Sequence, residues 1–477
     1  MKKKPDGFYK IARKTASKRS IEDRIKDWNE LLIPLSEGDL VDQAARCMDC
    51  GIPFCHGSGC PLSNYIPLWN ELICNGEWQQ ALELMEETNP FPEVTGRVCP
   101  ALCEAACTLS INKEPVTIQQ IELAIVEKGF KEGWLEPKPP LNRTGKRVAI
   151  IGSGPAGLSA AKRLNALGHT VTVIEKADRI GGLLRYGIPD FKLEKNIIDR
   201  RIKQMKDEGV IFETEVNAGK DVSEKYLDKY FDAICLCCGA QEPRKLNVPG
   251  CDFEGIHPAM EYLEQQNRIV AGDEFPRSQQ INAKDKVVVV LGGGDTGSDC
   301  VGTAIRQGAK EVYQFEILPK PPDDRTDDMP WPSYPRIHRI SSSQEEGCIQ
   351  RWNILTKSFG GQDIYVNKLN GVEIKWLEPD SNGKYTFEEI PGTEFEIQVD
   401  LVILALGFTG PRKTRLLEDL NVELDEKGNV KTDVKFQTTK EGVFCIGDMN
   451  RGPSLVVWAI EEGQQVAKYI HEYLMTE

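Results

Sequence analysis

Seven cysteines near the beginning of the chain stand in two closely spaced runs. The runs are Cys47-x2-Cys50-x4-Cys55-x4-Cys60 and Cys99-x3-Cys103-x3-Cys107. Dense thiolates at such short spacings are typical ligands of [4Fe–4S] clusters. Two clusters of this kind take eight protein ligands, so a residue outside the runs must complete the set. The runs therefore predict an electron-carrying region with two iron–sulfur clusters.

Zinc binding and thiol exchange are the alternative chemistries for these cysteines. A structural zinc site usually has two CxxC pairs or mixed Cys and His ligands, whereas this region has one CxxC pair, with His56 as the sole histidine near it. A redox pair at Cys47 and Cys50 would stand in a βαβ unit, and no such pattern surrounds it. Cys74 lies outside the runs, where it either completes the set of eight or is a small buried residue.

A glycine-rich turn after a short apolar strand predicts a first dinucleotide site. The strand KRVAII runs into Gly152-Ser153-Gly154-Pro155-Ala156-Gly157. The three glycines of such a turn allow a tight bend, the approach of a pyrophosphate and close helix packing, and the helix N-terminus attracts phosphate. Glu175 ends the next strand, where a carboxylate binds an adenosine ribose. Because strand, helix and acid are all in place, we prefer this interpretation to an ordinary glycine-rich turn.

A second turn of the same type predicts a second dinucleotide site. It reads Gly292-Gly293-Gly294-Asp295-Thr296-Gly297, and the following strand ends at Glu316. An acid at that strand end favours the free 2′-hydroxyl of NADH and repels the 2′-phosphate of NADPH. Lys320 and Arg325 lie just beyond and can restore phosphate binding, and a merely solvated acid is a further alternative. The preference for NADH is therefore a weak one.

The elements around these motifs predict an α/β protein with an additional helical domain. Helical periodicity in residues 79–87 and 118–129, without strand alternation, indicates a helical iron–sulfur domain over residues 1–145. A proline-rich linker at residues 136–140 leads into two Rossmann-like domains, the second inserted in the first. We expect the first dinucleotide-binding domain in two parts, at residues 146–283 and 405–477, and the second at residues 284–404. Strands at residues 400–408 and 442–450, and a helix from about Pro453, complete the prediction.

Composition excludes several classes of partner. The 477 residues have a net charge of −14, which argues against binding nucleic acid or an anionic membrane surface. We see no apolar run long enough to span a membrane and no secretory signal, so we expect a cytoplasmic protein. In that compartment the 15 cysteines do not indicate a disulfide framework.

The identity of the first dinucleotide follows from a resemblance to two-dinucleotide flavoprotein reductases. The strand GVFCIGD at residues 442–448 and the stretch RIGGLLRYGIP at residues 179–189 are similar to the flavin-contacting segments of that superfamily. The resemblance implies FAD at the first turn and NAD(P)H at the second. It adds further cofactor-binding residues, which are Gly182, Leu183, Lys192, Gly407, Gly447 and Asp448.

Nearly the whole chain resembles the small (β) subunits of glutamate synthases, and also the N-terminal half of dihydropyrimidine dehydrogenase. The matching motifs are CMDCGIPFC, CPLSNYIPLWN, PEVTGRVCPALCEAAC, VTIQQIE, GSGPAG, GGGDTG and PSLVVWAIEEGQQVA. One departure is Glu316-Ile-Leu-Pro319, where NADPH-using relatives carry arginines, and this puts NADPH preference in doubt.

The resemblance implies two sets of cluster ligands. Carried over by motif, one cluster is held by Cys47, Cys50, Cys55 and Cys107. The other is held by Cys60, Cys99 and Cys103, with its fourth ligand at Glu122, where dihydropyrimidine dehydrogenase has glutamine. Cys74 remains the alternative for that eighth position.

The resemblance also implies the reaction and the partner. NAD(P)H reduces FAD, and the clusters pass electrons to a large (α) subunit that makes glutamate from glutamine and 2-oxoglutarate. We expect this chain not to make glutamate alone, because an N-terminal cysteine and an FMN barrel are both missing from its sequence. Hydride transfer depends on positioning, so we predict no catalytic acid, base or nucleophile.

Alternatives remain for the electron acceptor and for two segments. Ferredoxin or a pyrimidine-reducing partner would use the same motifs, and a non-enzymatic scaffold is a third interpretation. The basic residues 2–19 are either a docking segment for the partner or a solvated tail. The proline-rich residues 319–347, which include Trp331, form either a partner-binding or nicotinamide-gating loop or an ordinary surface loop.

Overall fold

The computed structural model describes residues 6–380 and 383–476. Its helices are α1 Gly7–Lys10, α2 Ile21–Arg24, α3 Glu37–Ala44, α4 Ile66–Asn75, α5 Trp78–Thr88, α6 Pro92–Val98, α7 Leu102–Ala105, α8 Ile118–Lys131, α9 Pro155–Ala166, α10 Leu183–Tyr186, α11 Lys195–Asp207, α12 Glu224–Tyr230, α13 Ala259–Val270, α14 Asp295–Arg306, α15 Ser342–Glu345, α16 Arg415–Leu420, α17 Asp448–Arg451 and α18 Val456–Thr476.

The strands follow the same chain order. They are β1 Ser17–Lys18, β2 Leu32–Ile33, β3 Arg147–Ile151, β4 Thr170–Ile174, β5 Ile211–Glu213, β6 Ala233–Leu236, β7 Glu242–Pro243, β8 Ile256–Pro258, β9 Val287–Leu291, β10 Glu311–Phe315, β11 Ile349–Arg351, β12 Ile354–Gln362, β13 Tyr365–Trp376, β14 Phe387–Glu389, β15 Phe395–Gln398, β16 Leu401–Leu404, β17 Phe408–Gly410 and β18 Val443–Cys445.

The N-terminal domain is helical, as the sequence predicts. Its two longest helices, α5 and α8, cover the segments where helical periodicity is strongest. On α8, Ile118, Ile121 and Ile125 lie on one buried face at helical spacing, and Glu122 shares that face. The helix α4 ends where Gly76 adopts a positive φ of 82°, a backbone conformation that glycine accepts readily. The buried face of α8 therefore includes an acid among aliphatic side chains.

Two parallel five-stranded sheets confirm the nested Rossmann-like arrangement. The first has the order β18-β6-β3-β4-β5, and the second has the order β11-β10-β9-β16-β8. All strands of the second sheet lie between β6 and β18 in the chain, so the second domain is inserted in the first. The central strands β3 and β9 are almost continuously apolar because both faces of their sheets are covered. In the second sheet, helices α13 and α14 cover one face, and the antiparallel strands β12 and β13 cover the other.

The limits of the two dinucleotide domains remain predictions. The strand β8 pairs in parallel with β16, so the second sheet includes residues that precede position 284. An antiparallel sheet of β12, β13 and β14, with β15 on β13, follows within the same inserted part. The strand expected at residues 400–408 is divided into β16 and β17, and Gly407 between them has a φ of 81°.

The long segment at residues 319–347 is irregular apart from its end. There the short helix α15 begins with a capping box in which the side chains of Ser341 and Gln344 bond to each other's backbone N–H groups. At the C-terminus α18 packs on α9 so closely that a Cβ on Gly463 would lie 2.6 Å from the carbonyl oxygen of Ala156. Within the described residues, none of the helices combines the length and apolarity needed to cross a membrane.

Buried ion pairs join the three domains. Arg201 of the first dinucleotide domain makes two hydrogen bonds of 2.7 and 2.8 Å to Glu93 of the helical domain. In the second dinucleotide domain, Glu346 accepts hydrogen bonds of 2.6 and 3.0 Å from Arg306, and its Oε1 lies 2.7 Å from Nε of Arg24, which belongs to the N-terminal domain. Buried charges left unpaired would cost several kcal/mol, so these pairs favour one relative placement of the domains.

Candidate cofactor sites

Four cysteines from the two runs form a first group near the surface. Burial raises the pKa of the Cys55 thiol, and so do the charges of its neighbours Cys107, Cys47 and Cys50. Cys50 is half-buried, and beside it the side chain of Ile52 is 77% exposed. The structure thus brings together the four residues that the resemblance assigns to one cluster, and places them next to an exposed apolar residue.

The other three cysteines form a second, more interior group with Glu122. Burial raises the pKa of Cys60 to about 11, with a contribution from the charge of Glu122. Burial likewise raises the pKa of Cys99 to about 12, with contributions from Glu122 and Cys60. The pKa of Cys103 is raised by burial and by the same neighbours. These thiols influence one another and Glu122, as members of one site do.

Both groups suit a positively charged cluster. Burial disfavours free thiolates at these positions, and bound iron offsets that penalty because it stabilises the deprotonated form. In the described part of the chain, no three His, Cys, Asp or Glu side chains form a group that could hold a metal ion, as the zinc alternative requires. Four iron atoms spread their ligands over a larger volume than a single ion does. The assignment of [4Fe–4S] clusters therefore rests on the way the cysteines and Glu122 are divided into two groups.

Cys74, the alternative eighth ligand, is a buried residue of α4. Its side chain is 2% exposed, and its Sγ donates to the carbonyl oxygen of Val41 at 3.9 Å. The charge of Glu122 contributes to the raised pKa values of Cys60, Cys99 and Cys103. This proximity favours Glu122 for the eighth position.

A cavity of about 930 Å³ follows the first glycine turn. Gly152 has a φ of 105°, and a Cβ there would lie 2.6 Å from the carbonyl oxygen of Cys237, so a larger residue would strain the turn. A Cβ on Gly154 would meet no protein atom within 4 Å, which leaves space for phosphate above the N-terminus of α9. Nearby, Oε2 of Glu175 accepts hydrogen bonds from the backbone N–H and the hydroxyl of Ser153, at 3.0 and 2.7 Å. These features fit the pyrophosphate and ribose of a dinucleotide.

Most of the predicted cofactor-binding residues line this one cavity. They are Gly152, Ser153, Gly154, Pro155, Ala156, Glu175, Gly182, Leu183, Lys192, Asp295, Thr296, Gly447 and Asp448. The cavity also includes Cys99 from the second cysteine group. The lining does not include Gly157, Gly292, Gly294, Gly297, Glu316 or Gly407. The cavity therefore connects the two glycine turns with the iron–sulfur domain.

The Gly447–Asp448 turn is held by a residue that the sequence analysis did not identify. The backbone N–H of Gly447 donates to Glu462 at 2.7 Å, and Nε of Arg451 donates to the same carboxylate at 2.6 Å. Asp448 accepts hydrogen bonds from the backbone and hydroxyl of Ser454, both at 3.1 Å. Burial raises the pKa of Asp448 to about 6, and the charge of Glu462 adds to this. Glu462 lies in the PSLVVWAIEEGQQVA motif, so the motif was the available signal.

The second glycine turn has the same local geometry but a more open acid. Gly292 has a φ of 120°, and a Cβ there would lie 2.2 Å from the carbonyl oxygen of Ala405. Glu316 accepts hydrogen bonds from the backbone N–H groups of Gly293, at 2.6 Å, and Leu318, at 2.9 Å. Glu316 is half-buried, and its position suits contact with a ribose 2′-hydroxyl.

Both cations considered for a 2′-phosphate are engaged with other groups. Lys320 contacts Asp323 at 3.3 Å. Arg325 donates to the carbonyl oxygens of Met329 and Ser333, at 3.1 and 2.6 Å, and to Ala105 of the helical domain at 3.1 Å. A 2′-phosphate would therefore have to compete with these groups for either cation.

An ion pair joins the two dinucleotide domains inside the cavity. Lys192 follows the first flavin-contacting segment, and its Nζ contacts Oδ1 of Asp299 on α14. Burial raises the pKa of Asp299, while the charge of Lys192 opposes that shift. Asp299 was not identified from the sequence, although it lies one helical turn beyond Asp295, and it places a carboxylate between the two turns.

The two segments considered for partner binding contact the protein's own helical domain. The ring of Trp331 packs on Phe54 with a centroid distance of 4.6 Å, close to the first cysteine group. Arg13 pairs with Glu104 at 2.5 Å, and Lys14 pairs with Asp39 at 2.7 Å. Residues 2–5 of the basic segment lie outside the described residues.

Two sequence families match the chain in separate parts. Dihydropyrimidine dehydrogenase domain II, 4Fe-4S cluster, matches residues 24–134. Pyridine nucleotide-disulphide oxidoreductase matches residues 146–330 and 354–463. The first match covers both cysteine groups, and the second covers both glycine turns.

Comparison with individual proteins gives long matches. A glutamate synthase [NADPH] small chain from Mycobacterium tuberculosis is 50% identical over 475 residues, covering 99% of this chain and 96% of that protein. A glutamate synthase [NADH] from Schizosaccharomyces pombe is 47% identical and covers 97% of this chain, which corresponds to 22% of that longer protein. Among solved structures, FprA, an oxidoreductase from Mycobacterium tuberculosis, has a TM-score of 0.56 at 18% identity, over 71% of this chain and 85% of that one. This last similarity concerns the fold alone.

Proposed function

The chain belongs to the family of glutamate synthase small chains, and we propose that electrons from NAD(P)H enter a glutamate synthase through it. The observation that carries this proposal is the shared cavity. It is lined by the first glycine turn, by Asp295 and Thr296 of the second turn, and by Cys99 of the second cysteine group. A hydride donor, a flavin and a one-electron carrier thus have adjacent places in one protein.

The first turn and its surroundings would hold FAD. The backbone of Gly152 and Gly154 would bind the pyrophosphate, and Glu175 would bind the adenosine ribose. Gly447 and Asp448, which line the same cavity, would contact the rest of the cofactor. The chemistry supplied by bound FAD and by the clusters is hydride acceptance from a reduced nicotinamide, followed by one-electron transfer. The protein contributes by binding, orienting and excluding water, and we assign no catalytic acid, base or nucleophile.

The second turn would bind the nicotinamide nucleotide as an exchanging substrate. Glu316 suits the free ribose of NADH, whereas the relatives at 50% and 47% identity are an NADPH-dependent and an NADH-dependent glutamate synthase by name. We therefore propose NAD(P)H as the substrate class. Asp295 and Thr296 at the start of α14 line the cavity, which supports binding of the nicotinamide end there.

The cysteine groups would bind two [4Fe–4S] clusters in series. Cys60, Cys99, Cys103 and Glu122 hold the cluster on the cavity side, because Cys99 lines the cavity. Cys47, Cys50, Cys55 and Cys107 hold the outer cluster, because Cys50 and Ile52 reach the surface. Electrons would enter at the inner group and leave from the outer one.

The acceptor is a large subunit that makes glutamate from glutamine and 2-oxoglutarate. Family membership supports this partner, and the exposed side of the outer cysteine group supplies a place for electron exit. We propose the cytoplasm as the location, where cysteines outside the cluster sites would stay reduced. The domain limits at residues 145, 283 and 404 are part of the same proposal.

A pyrimidine-reducing or ferredoxin-reducing role is the second candidate. The match of residues 24–134 to dihydropyrimidine dehydrogenase domain II favours it. Matches at 50% identity over nearly the full length of a glutamate synthase small chain favour the first candidate more strongly.

Isolation of the native chain with its bound partner tests the proposal. We expect a large subunit to co-purify, and the complex to oxidise NAD(P)H only when glutamine and 2-oxoglutarate are both present. NAD(P)H oxidation that depends instead on a pyrimidine or on ferredoxin would favour the second candidate. A native chain without flavin or iron would support the alternative that the protein is a non-enzymatic scaffold.

A further inference from the structure

Glu122 is an acid in an apolar core. Its side chain is 5% exposed on α8, between Ile121 and Ile125, which are fully buried. The charges of two further acids, Glu93 and Glu104, add to the effect of burial in raising its pKa. A carboxylate in such surroundings is unfavourable unless hydrogen-bond donors or a cation stabilise it. The position therefore requires specific partners.

Two side chains from another part of the helical domain supply donors to Glu122. Nδ2 of Asn89 donates to Oε1 of Glu122 at 3.0 Å, and the hydroxyl of Thr95 donates to the same oxygen. Thr95 lies on α6, and Gly96 beside it allows α6 and α8 to pack closely, because a Cβ there would lie 2.8 Å from Cβ of Leu123. Both donors thus end on one carboxylate oxygen.

The orientation of these donors is determined by the backbone. The N–H of Phe91 donates to Oδ1 of Asn89 at 3.0 Å, so the amide NH2 of Asn89 points the other way. That NH2 also donates to Oγ1 of Thr95 at 2.8 Å. The Thr95 hydroxyl accepts this bond, and its single proton has two acceptors within reach, of which Oε1 of Glu122 is nearer than the carbonyl oxygen of Phe91 at 3.3 Å. Asn89 and Thr95 therefore both donate to Oε1 of Glu122, so the atom at this place must be a hydrogen-bond acceptor.

We propose that Asn89 and Thr95 are positioning residues that hold Oε1 of Glu122 and turn Oε2 toward iron. Oε2 would then complete the site formed by Cys60, Cys99 and Cys103, an inference that rests on the cluster assignment in the proposed function. With a glutamine at this position the carbonyl oxygen would accept these two hydrogen bonds and leave only the NH2 group for the site, whereas a carboxylate keeps a second oxygen for iron. Outer residues of this kind commonly orient metal ligands and adjust the properties of the metal.

The test compares Thr95→Val and Asn89→Leu with the unmodified chain, all purified anaerobically. Iron content, flavin content, and the EPR spectrum and midpoint potential of each cluster are measured. Thr88→Val is a matched control. The hydroxyl of Thr88 also makes a partly buried hydrogen bond, to Oδ1 of Asn64 at 2.7 Å, and this bond does not involve Glu122. Thr95→Ser keeps the hydroxyl and serves as the conservative variant.

We expect both variants to keep flavin and the outer cluster. The inner cluster should show altered EPR g values and potential, or be lost together with about half of the iron. Thr95→Ser should restore the original spectrum, and Thr88→Val should not change it.

Two outcomes would overturn the positioning role. One is full iron with unchanged spectra and potentials in both variants. The other is joint loss of both clusters and of flavin, which would assign the two residues to packing of the domain. Failure of the proposed function is distinguishable, since the unmodified chain itself would then contain less iron than two clusters need.

Discussion

The two glycine turns are alike in their local chemistry and different in their surroundings. In each turn the first glycine has a positive φ, and the acid at the end of the next strand accepts the N–H of the second turn residue, at 3.0 Å for Glu175 and 2.6 Å for Glu316. Glu175 is only 7% exposed beside an extended cavity, whereas Glu316 is half-buried outside it. The same motif therefore suits a retained cofactor at one place and an exchanging substrate at the other.

Replacing the first glycine of each turn is the strongest way to break this comparison. Gly152→Ala and Gly292→Ala both force a Cβ against a backbone carbonyl at positive φ. We expect Gly152→Ala to retain less than about a tenth of the flavin and to lose all NAD(P)H oxidation. Gly292→Ala should keep its flavin but show no bleaching with NAD(P)H.

Flavin absorbance and iron content of the purified variants provide the measurement, and retained iron is the control for folding. Equal loss of flavin in both variants would contradict the assignment of separate ligands to the two turns.

Removing the link between the sites should have the next largest effect. Lys192→Met breaks the ion pair with Asp299 inside the cavity. We expect kcat for NAD(P)H-dependent dye reduction to fall about tenfold with a smaller change in KM, because orientation of the two sites is disturbed. Lys203→Met, which removes an exposed pair with Asp207, is the matched control and should behave like the unmodified chain. If the two substitutions have equal effects on kcat, Lys192 does not orient the two sites.

The two strand-end acids should respond differently to substitution. Glu316→Ala removes a negative charge near the expected 2′-position, so kcat/KM for NADPH relative to NADH should rise about tenfold. Glu175→Ala should instead weaken flavin binding and leave that ratio unchanged. Steady-state kinetics with both coenzymes measure the ratio. If Glu316→Ala does not change it, the acid is a solvated strand end.

The smallest expected effect concerns pH. Burial raises the pKa of Asp448 to about 6, so the folded apoprotein binds a proton that the unfolded chain releases near pH 4. The free energy of unfolding should therefore decrease as the pH rises from about 4 to 6. Asp448→Asn should be more stable relative to the unmodified apoprotein at pH 7 than at pH 4, by up to about 2 kcal/mol. Denaturant unfolding of both apoproteins at the two pH values measures this difference.

Local patterns predicted much of this molecule. The glycine turns and the strands leading into them follow from short apolar runs and glycine spacing, and the insertion of one Rossmann-like domain in the other followed from resemblance to known flavoproteins. The helix α8 followed from its periodicity, and the acid on its buried face was visible in the VTIQQIE motif. Resemblance to a family, rather than spacing, supplied the division of the cysteines into two groups.

Contacts between distant segments were beyond sequence reasoning. Lys192 forms an ion pair with Asp299, and Asn89 donates a hydrogen bond to Glu122. The partners in each pair are far apart in the sequence, and no local pattern links them. The strand β8 joined the second sheet through pairing with β16, which no local pattern indicates. The break between β16 and β17 depends on the positive φ of Gly407, where the apolar run alone suggested one strand.

Anaerobic addition of NADPH or NADH to the purified chain tests the central claim most directly. Flavin absorbance and the EPR spectrum are followed in the unmodified protein and in Gly152→Ala. The account predicts flavin bleaching and the signal of a reduced [4Fe–4S] cluster in the unmodified protein, and neither in the variant. Absence of bleaching with both coenzymes, or a reduced cluster in flavin-free Gly152→Ala, would contradict it.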